Sequence, residues 1–150
     1  MVDDLDRKIL RVIQRDNSLA LEEIAEKVGS SKSPVWNRIK KLKANGIIAK
    51  EVALLDADQL GLTDTFFVAI RTDQHSAEWS KAFAETLADM DEIQEAHRLT
   101  GEIDYISKVR VGNTREFDAF YKRFIGRINL FNVTSSLSME TMKETTALKI

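Results

Sequence analysis

The residues from 30 to 46 concentrate side chains that can bind nucleic acid. This stretch, SSKSPVWNRIKKLKANG, contains five basic residues and no Asp or Glu, although the whole chain has 22 Lys and Arg against 24 Asp and Glu. Cations neutralise phosphate, an amide such as that of Asn37 suits the edge of adenine, and a hydroxyl such as that of Ser33 hydrogen-bonds to either. The pattern predicts contact with double-stranded DNA.

Two helices are predicted to precede this stretch, because apolar residues recur there at helical spacing. The first covers residues 4–16, with Asp3 and Asp4 at its positive end. The second is shorter and reaches Val28, and Gly29 ends it.

A third helix carries the basic stretch. Ser30 or Ser31 caps its start, Pro34 falls in its first turn, and Gly46 stops it. The predicted buried stripe is Val35, Ile39 and Leu42. A short helix, a turn and a longer basic helix give the order of a helix-turn-helix motif, whose last helix enters the major groove. The predicted DNA-binding residues are Ser31, Lys32, Ser33, Trp36, Asn37, Arg38, Lys40 and Lys41. Arg38 lies nearer the buried edge, so it either anchors the helix or contacts a phosphate.

Charge divides the chain into a basic front and an acidic body. Residues 1–50 hold eleven Lys and Arg against seven Asp and Glu, net +4, and the remainder carries −6. We predict a DNA-binding domain over 1–50, a linker over 51–62 and a second domain over 63–150. The run IIAKEVALL, residues 47–55, is predicted to form a strand that leads out of a winged-helix-like first domain, and DADQLGL a turn after it.

The second domain is predicted to have the order β-α-β-β-α-β. The predicted strands cover residues 66–70, 93–99, 105–111 and 133–142, and the helices cover 76–88 and a segment that Thr114 caps. This order is that of an α+β, ferredoxin-like sandwich, in which two helices cover one face of an antiparallel sheet. The aromatic stripes of these helices indicate helix-on-sheet core.

The first strand of this sheet is apolar on both faces. Phe66, Val68 and Ile70 alternate with Phe67 and Ala69. Because the helices cover only one face, we predict that a second copy of the chain covers the other. Such a homodimer would also pair two recognition helices for a palindromic site.

Composition excludes several classes of protein. The chain has no cysteine, so it has no disulfide, thiolate nucleophile or Cys-ligated metal. Its start lacks a signal-peptide pattern and no apolar run is long enough to span a membrane, so we expect a soluble cytoplasmic protein without membrane contact. His75 and His97 form neither a triad nor a metal-spaced cluster, and we predict no catalytic residues, metal or cofactor. The same two histidines make a metal-responsive regulator a poor alternative.

The chain resembles the Lrp/AsnC, or feast/famine, transcriptional regulators along nearly its whole length. The matching segments are LDRKILRVIQRDNSLALEEIAEKVGSS, SPVWNRIKKLKANGIIAKEVALLD, LTGEIDYISKVRV and MKETTALKI. The resemblance implies dimers that assemble into tetramers or octamers and amino-acid effectors bound between subunits. Other segments, such as HSAEW and FDAFYKR, resemble a subgroup that includes regulators of cysteine breakdown. This chain has Val35 where that subgroup tends to have Cys, and Lys149 where the family usually has Pro.

The segment LTGEIDY, residues 99–105, is the predicted effector site. A carboxylate can bind the ammonium of an amino acid, while hydroxyl and N–H donors bind its carboxylate. The segment supplies Thr100, Gly101, Asp104 and Tyr105. The resemblance adds the start of the last strand, with Thr134, Ser135 and Ser136. An ordinary hairpin turn would use the same Thr, Gly and Asp side chains, and the sequence leaves both interpretations open.

One enzyme class remains as an alternative, because haem-precursor decarboxylases share this two-domain architecture. The complete basic third helix favours the regulator.

Overall fold

The computed structural model describes residues 2–150, which form five helices and four strands. The helices are α1 (Asp4–Ile13), α2 (Leu21–Val28), α3 (Lys32–Ala44), α4 (Ala77–Ala88) and α5 (Thr114–Arg127). The strands are β1 (Asp64–Arg71), β2 (Ile93–Arg98), β3 (Tyr105–Val111) and β4 (Asn132–Leu137). The α+β class is confirmed, as are the three helices of the first domain and the β-α-β-β-α-β order of the second.

The three N-terminal helices enclose an aliphatic core. A capping box starts α1: the Asp3 carboxylate accepts from the Asp6 N–H at 2.9 Å, and the Asp6 carboxylate accepts from the Asp3 N–H at 3.1 Å. At the start of α2, Glu23 accepts from the N–H of Ala20 at 2.9 Å. Gly29 has a left-handed backbone (φ 67°) and ends α2, as predicted. The buried core residues are Ile9, Ile13, Ile24, Ala25, Val28 and Val35.

α3 buries the stripe that its sequence predicts. Val35 and Leu42 are buried, and Ile39 is partly buried against the aliphatic core. Pro34 lies in the first turn, and Gly46 follows the helix with a left-handed φ of 71°. Since this stripe faces inward, the opposite side of α3 lies in solvent.

The C-terminal sheet has the strand order β2-β3-β1-β4, with every neighbouring pair antiparallel. Ser76 caps α4 by accepting from the Trp79 N–H at 3.1 Å. α4 and α5 pack large aromatic side chains against one sheet face. The buried core of this unit is Phe66, Val68, Ile70, Trp79, Phe83, Met90, Val109, Val111, Phe120, Phe124 and Ile128. These residues confirm the prediction that the aromatic stripes form helix-on-sheet core.

The two sheet faces differ in cover. Phe66, Val68 and Ile70 of β1 are buried under the helices, whereas Phe67 on the other face is 42% exposed. We call this second face the open face. Ile106 pairs with Ala69 across the β1–β3 ladder and lies on the open face too.

The predicted linker strand is absent from the described residues. Residues 47–55 have no ladder partner there, and Val52, Leu54 and Leu55 are exposed. A strand needs a neighbour that satisfies its backbone N–H and C=O groups, and apolar β-branched composition alone does not supply one. The predicted turn after it does form, with a hydrogen bond from the Leu62 N–H to the Ala57 carbonyl at 2.8 Å.

Three further boundaries differ from prediction. α1 ends at Ile13, before residue 16. Asn113, not Thr114, caps α5, because its side chain accepts from two backbone N–H groups of the first turn. β4 ends at Leu137: the Ser138 N–H still donates to the Thr65 carbonyl at 2.8 Å, but residues 139–142 form no ladder with β1.

The chain divides into two compact units. One contains residues 2–54 with Met142–Ile150, and the other is Leu55–Thr141. The last nine residues of the predicted 63–150 domain therefore belong to the first unit.

Hydrogen bonds to α1 and the residue after it hold this C-terminal tail in the first unit. The side-chain amide of Gln14 donates to the Leu148 carbonyl at 3.0 Å and accepts from the Leu148 N–H at 2.8 Å. Arg11 Nε donates to the main-chain oxygen of Ile150 at 2.7 Å. The tail is thus attached through its backbone groups, which any residue other than proline would supply at position 148.

Candidate DNA interface and effector segment

The exposed face of α3 brings together most of the predicted DNA-binding residues. Lys32, Ser33, Trp36, Asn37, Lys40 and Lys41 are all exposed, and the helix has no acidic residue in its first turn. Ser33, Asn37 and Lys40 recur at helical spacing, so their side chains share one side of the helix. A polar helix face of this kind has the donors and acceptors that the major groove requires.

Acidic residues elsewhere in the first unit neutralise three of the five basic residues in this stretch. Lys32 pairs with Glu22, and Lys43 Nζ lies 2.8 Å from Glu51 Oε2. The lysine hydrogen bond holds the pKa of the Glu22 carboxyl below its ordinary value. Lys43 and then Asn17 do the same for the pKa of Glu51. The third pair is formed by Arg38.

Arg38 bonds to the capping box of α1. Its Nη1 donates to a carboxylate oxygen of Asp3 and, at 3.2 Å, to Oδ1 of Asp6, which is 5% exposed. The pKa of Asp3 is lowered, first by the Asp6 N–H and then by Arg38, and the Asp3 hydrogen bond raises the pKa of Arg38. Arg38 therefore anchors α3 to α1, the first of the two roles that its position predicts.

Two cations of the stretch have no acidic partner within residues 2–150. Lys40 Nζ lies 5.8 Å from the centre of the Trp36 ring, and Lys41 makes no ion pair or hydrogen bond there. The side chains of Ser33 and Asn37 make no hydrogen bond in the described chain either. These four polar groups remain available to an external partner.

The start of α3 leaves donors unsatisfied. Ser31 occupies the N-cap position, but its side chain accepts no capping hydrogen bond, so the predicted serine cap is only positional. The first N–H groups of a helix have no partner within the helix and attract anions. The hydroxyl of Ser31 and the first N–H groups can donate to the same anion.

Sequence reasoning missed the acids that hold these cations. The first helix was expected to use Asp3 as a cap, but its contact with Arg38 joins residues 35 positions apart. Asp6, Glu22 and Glu51 were missed altogether. No periodic pattern predicts such pairs, since they depend on how helices pack.

The predicted effector segment forms the connection between β2 and β3. Thr100 and Gly101 are exposed, and Gly101 has φ 122°, which favours glycine. The Asp104 carboxylate accepts from the N–H of Thr72 at 2.8 Å, and the Asp104 N–H donates to the Ile70 carbonyl at 3.0 Å. Asp104 thus has a structural role in joining this segment to the end of β1, and only one of its carboxylate oxygens is engaged.

The remaining predicted effector residues lie on two different sheet faces. Tyr105 packs against the rings of Phe83 and Trp79 in the core, with the Phe83 ring centre 4.7 Å away. Ser135 pairs with the buried Val68, so its side chain also points to the helix-covered face.

Thr134 and Ser136 pair with Ala69 and Phe67 and therefore point to the open face. The structure thus brings the segment 100–105 and the start of β4 to the same end of the sheet, on either side of β1. It does not bring all seven predicted residues together.

Within residues 2–150, no group of three His, Asp or Glu side chains is placed to hold a metal ion. None of the described helices is both long and apolar enough to cross a membrane. His97 Nε2 lies 3.4 Å from Glu95 on an exposed strand.

Two sequence profiles together match nearly the whole chain. Residues 2–49 match the winged helix-turn-helix DNA-binding domain, and residues 65–148 match the Lrp/AsnC ligand-binding domain. The chain is 42% identical over 151 residues to the DNA-binding transcriptional activator DecR of Escherichia coli K12, covering 100% of this chain and 99% of that protein.

Solved structures match over the same extent. The crystal structure of an AsnC-family transcriptional regulator from Agrobacterium tumefaciens has a TM-score of 0.95 and 45% identity, covering 98% of this chain and 96% of that one. A transcriptional regulator from Neisseria meningitidis in complex with L-methionine has a TM-score of 0.94 and 27% identity, covering 99% and 97%. These relatives favour a regulator over a decarboxylase of similar architecture.

Proposed function

The chain belongs to the Lrp/AsnC family of transcriptional regulators, and from this premise we propose that it regulates transcription by binding double-stranded DNA in response to an amino acid. The observation that carries DNA binding is the exposed face of α3. Lys40 and Lys41 contact phosphates, while Asn37 and Ser33 contact base edges. Ser31 donates to a phosphate at the start of the helix. We assign the protein no catalytic role and place its action in the cytoplasm.

Whether a basic residue is already paired with an acid predicts how much it contributes to the salt dependence of DNA binding. Replacing Lys40 or Lys41 by Ala lowers affinity alike for all DNA sequences and reduces the salt slope, d log K/d log[salt], by about 0.9 each. Lys43→Ala is the matched control, because Lys43 is already paired with Glu51 and contributes less to the slope. Equal slope changes in all three variants would contradict this assignment.

The effector is proposed to be an amino acid bound at residues 99–105. The L-methionine complex of the Neisseria regulator supports the ligand class. The free carboxylate oxygen of Asp104 binds the ammonium, and Thr100 with the backbone at Gly101 binds the carboxylate. Thr134 and Ser136 add hydroxyl groups from the open face, whereas Tyr105 and Ser135 support the site from the helix-covered face.

A homodimer is proposed as the smallest assembly, with further association into tetramers or octamers. The support is the open face, on which Phe67 and Ile106 lack helical cover. A second copy would bury these side chains and present two α3 helices to a palindromic DNA site. Light scattering tests this: a monomeric mass at micromolar concentration would contradict it.

The test of the function as a whole is a fluorescence-anisotropy titration with the DNA upstream of the protein's own gene. We expect binding that prefers this sequence over a shuffled duplex, weakens with salt, and changes with one of the twenty amino acids. Binding that ignores both sequence and amino acid would contradict the proposal. Tetrapyrrole absorption or haem affinity in the purified protein would favour the decarboxylase instead.

A further inference from the structure

Trp36 has an unusual place for an aromatic residue. It is the only Phe, Trp or Tyr in the first 54 residues, and the core of its unit consists of aliphatic side chains without it. Its side chain lies on the exposed face of α3 and is 52% exposed. A core function therefore does not account for this side chain.

The indole forms one wall of a recess between α2 and α3. Leu21, Lys32, Ser33 and Trp36 line this recess, which has a volume of about 350 Å³. Leu21 and the indole supply its apolar surface. Ser33 adds a hydroxyl without a hydrogen bond in the described chain.

Of the two lysines near the recess, only one is without an acidic partner in the described chain. The ammonium of Lys32 pairs with Glu22, and that of Lys40 lies over the indole. The recess thus combines a small apolar surface with one neighbouring cation, Lys40, that has no acidic partner in the described chain. A phosphate would match only the positive charge, and an apolar peptide would match only the apolar surface of the recess. A thymine in the major groove matches both, because its C5 methyl group projects from the groove beside the phosphate backbone.

We propose that this recess binds the C5 methyl group of one thymine in each DNA half-site, with Trp36 as the residue that determines specificity there. The proposal rests on the proposed function, and it adds a base contact to the polar ones of Asn37 and Ser33. The indole contacts the methyl group, and Lys40 neutralises a nearby phosphate.

The experiment removes methyl groups from the DNA one at a time. Each thymine of a duplex that the wild-type protein prefers over a shuffled duplex is replaced by deoxyuridine, and the Kd is measured by anisotropy. At one position in each half-site we expect affinity to fall about four-fold, as for losing one buried methyl group. The same replacement should leave the affinity of Trp36→Ala unchanged and that of Trp36→Phe partly reduced.

Lys41→Ala is the matched control, since it weakens binding but should keep the full uridine effect. Circular dichroism verifies that Trp36→Ala retains its helices, and Trp36→Phe provides the test if it does not. The proposal is overturned if no uridine replacement weakens the wild type, or if the loss persists in Trp36→Ala. An affinity gain only from 5-methylcytosine would assign the recess to methylated DNA and overturn it too.

The experiment distinguishes failure of the proposed function from failure of the role proposed for Trp36. A wild type that shows no preference among unmodified duplexes contradicts sequence-specific regulation, and the inference with it. Sequence-preferring binding that is indifferent to uridine contradicts only the role of Trp36.

Discussion

The DNA-binding face and the effector segment differ in how much of each site one chain assembles. On α3, Ser33, Asn37 and Lys40 share one helix face because a helix aligns residues three or four apart. On β4, Thr134 and Ser135 point to opposite faces because a strand alternates its side chains. The helix can thus present a site from one short segment, whereas the strand site requires residues from elsewhere, and we expect a second subunit to provide them.

The two regions also differ in how their charges are satisfied. Three cations of the basic stretch pair with acids of the same unit, and Lys40 and Lys41 have no acid partner there. In the effector segment, Asp104 bonds to a backbone N–H and keeps one oxygen unengaged. A count of charged residues therefore overstates the free charge of the DNA face, and the hydrogen bond that Asp104 makes in the turn does not exclude ligand contact.

The largest expected effect comes from removing Asp6, which connects α1 to Arg38 of the DNA-binding helix. Asp6→Ala removes the acceptor of the Asp3 N–H and a partner of Arg38, and should lower the free energy of unfolding by about 2 kcal/mol. Urea unfolding followed by circular dichroism measures this. Asp4→Ala is the control, since Asp4 is exposed in the same turn, and should change stability by less than about 0.5 kcal/mol. A loss in Asp6→Ala no larger than that in Asp4→Ala would contradict the stabilising role of Asp6.

The next effect separates the two roles of Asp104. Asp104→Asn keeps an oxygen for the Thr72 N–H but loses the charge for an ammonium, so stability should hold while amino-acid affinity falls more than about ten-fold. Asp104→Ala should lose the same affinity and about 1 kcal/mol of stability besides. Anisotropy with the effector and urea unfolding measure the two quantities. An unchanged effector response in Asp104→Asn would place the site elsewhere.

A smaller effect tests the two faces of β4. Thr134→Val removes a hydroxyl from the open face and should weaken the amino-acid response about five-fold, the value of one hydrogen bond. Ser135→Ala, its neighbour on the helix-covered face, should leave the response within about two-fold. If Ser135→Ala had the larger effect, the effector would bind on the helix-covered side.

The sequence predicts the helices and the strand order because both depend on local periodicity. Gly29, Gly46 and Pro34 occupy the positions that their backbone preferences require. The strand over 47–55 was wrong because strand formation depends on a partner that composition cannot show. The cap at Thr114 was wrong because Asn113, one residue earlier, has the better acceptor for the first N–H groups of α5.

The sites are predicted less evenly than the fold. Helical spacing places Asn37, Lys40 and Lys41 on the exposed face, as expected. The bond between Arg38 and Asp6 joins residues 32 positions apart and leaves no periodic signal. For Thr134 and Ser135 the sequence does contain a signal. Adjacent strand residues point to opposite faces, so these two side chains cannot contact one ligand from the same face.

The smallest effect concerns pH and the anchor of α3. The pKa of Asp3 is lowered in the folded chain by the Asp6 N–H and then by Arg38. The unfolded chain therefore binds a proton at Asp3 more tightly than the folded chain does, and protonation of Asp3 destabilises the fold. This contribution to stability is present above the ordinary pKa of Asp and is lost as the pH falls below about 4. Arg38→Met removes the part that depends on the guanidinium. We therefore expect the stability difference between wild type and Arg38→Met, measured by urea unfolding, to be largest near neutral pH and to shrink below about pH 4. A difference that does not change with pH would mean that Arg38 supports α3 by packing of its aliphatic stem, and that its charge, like those of Lys40 and Lys41, is available to DNA.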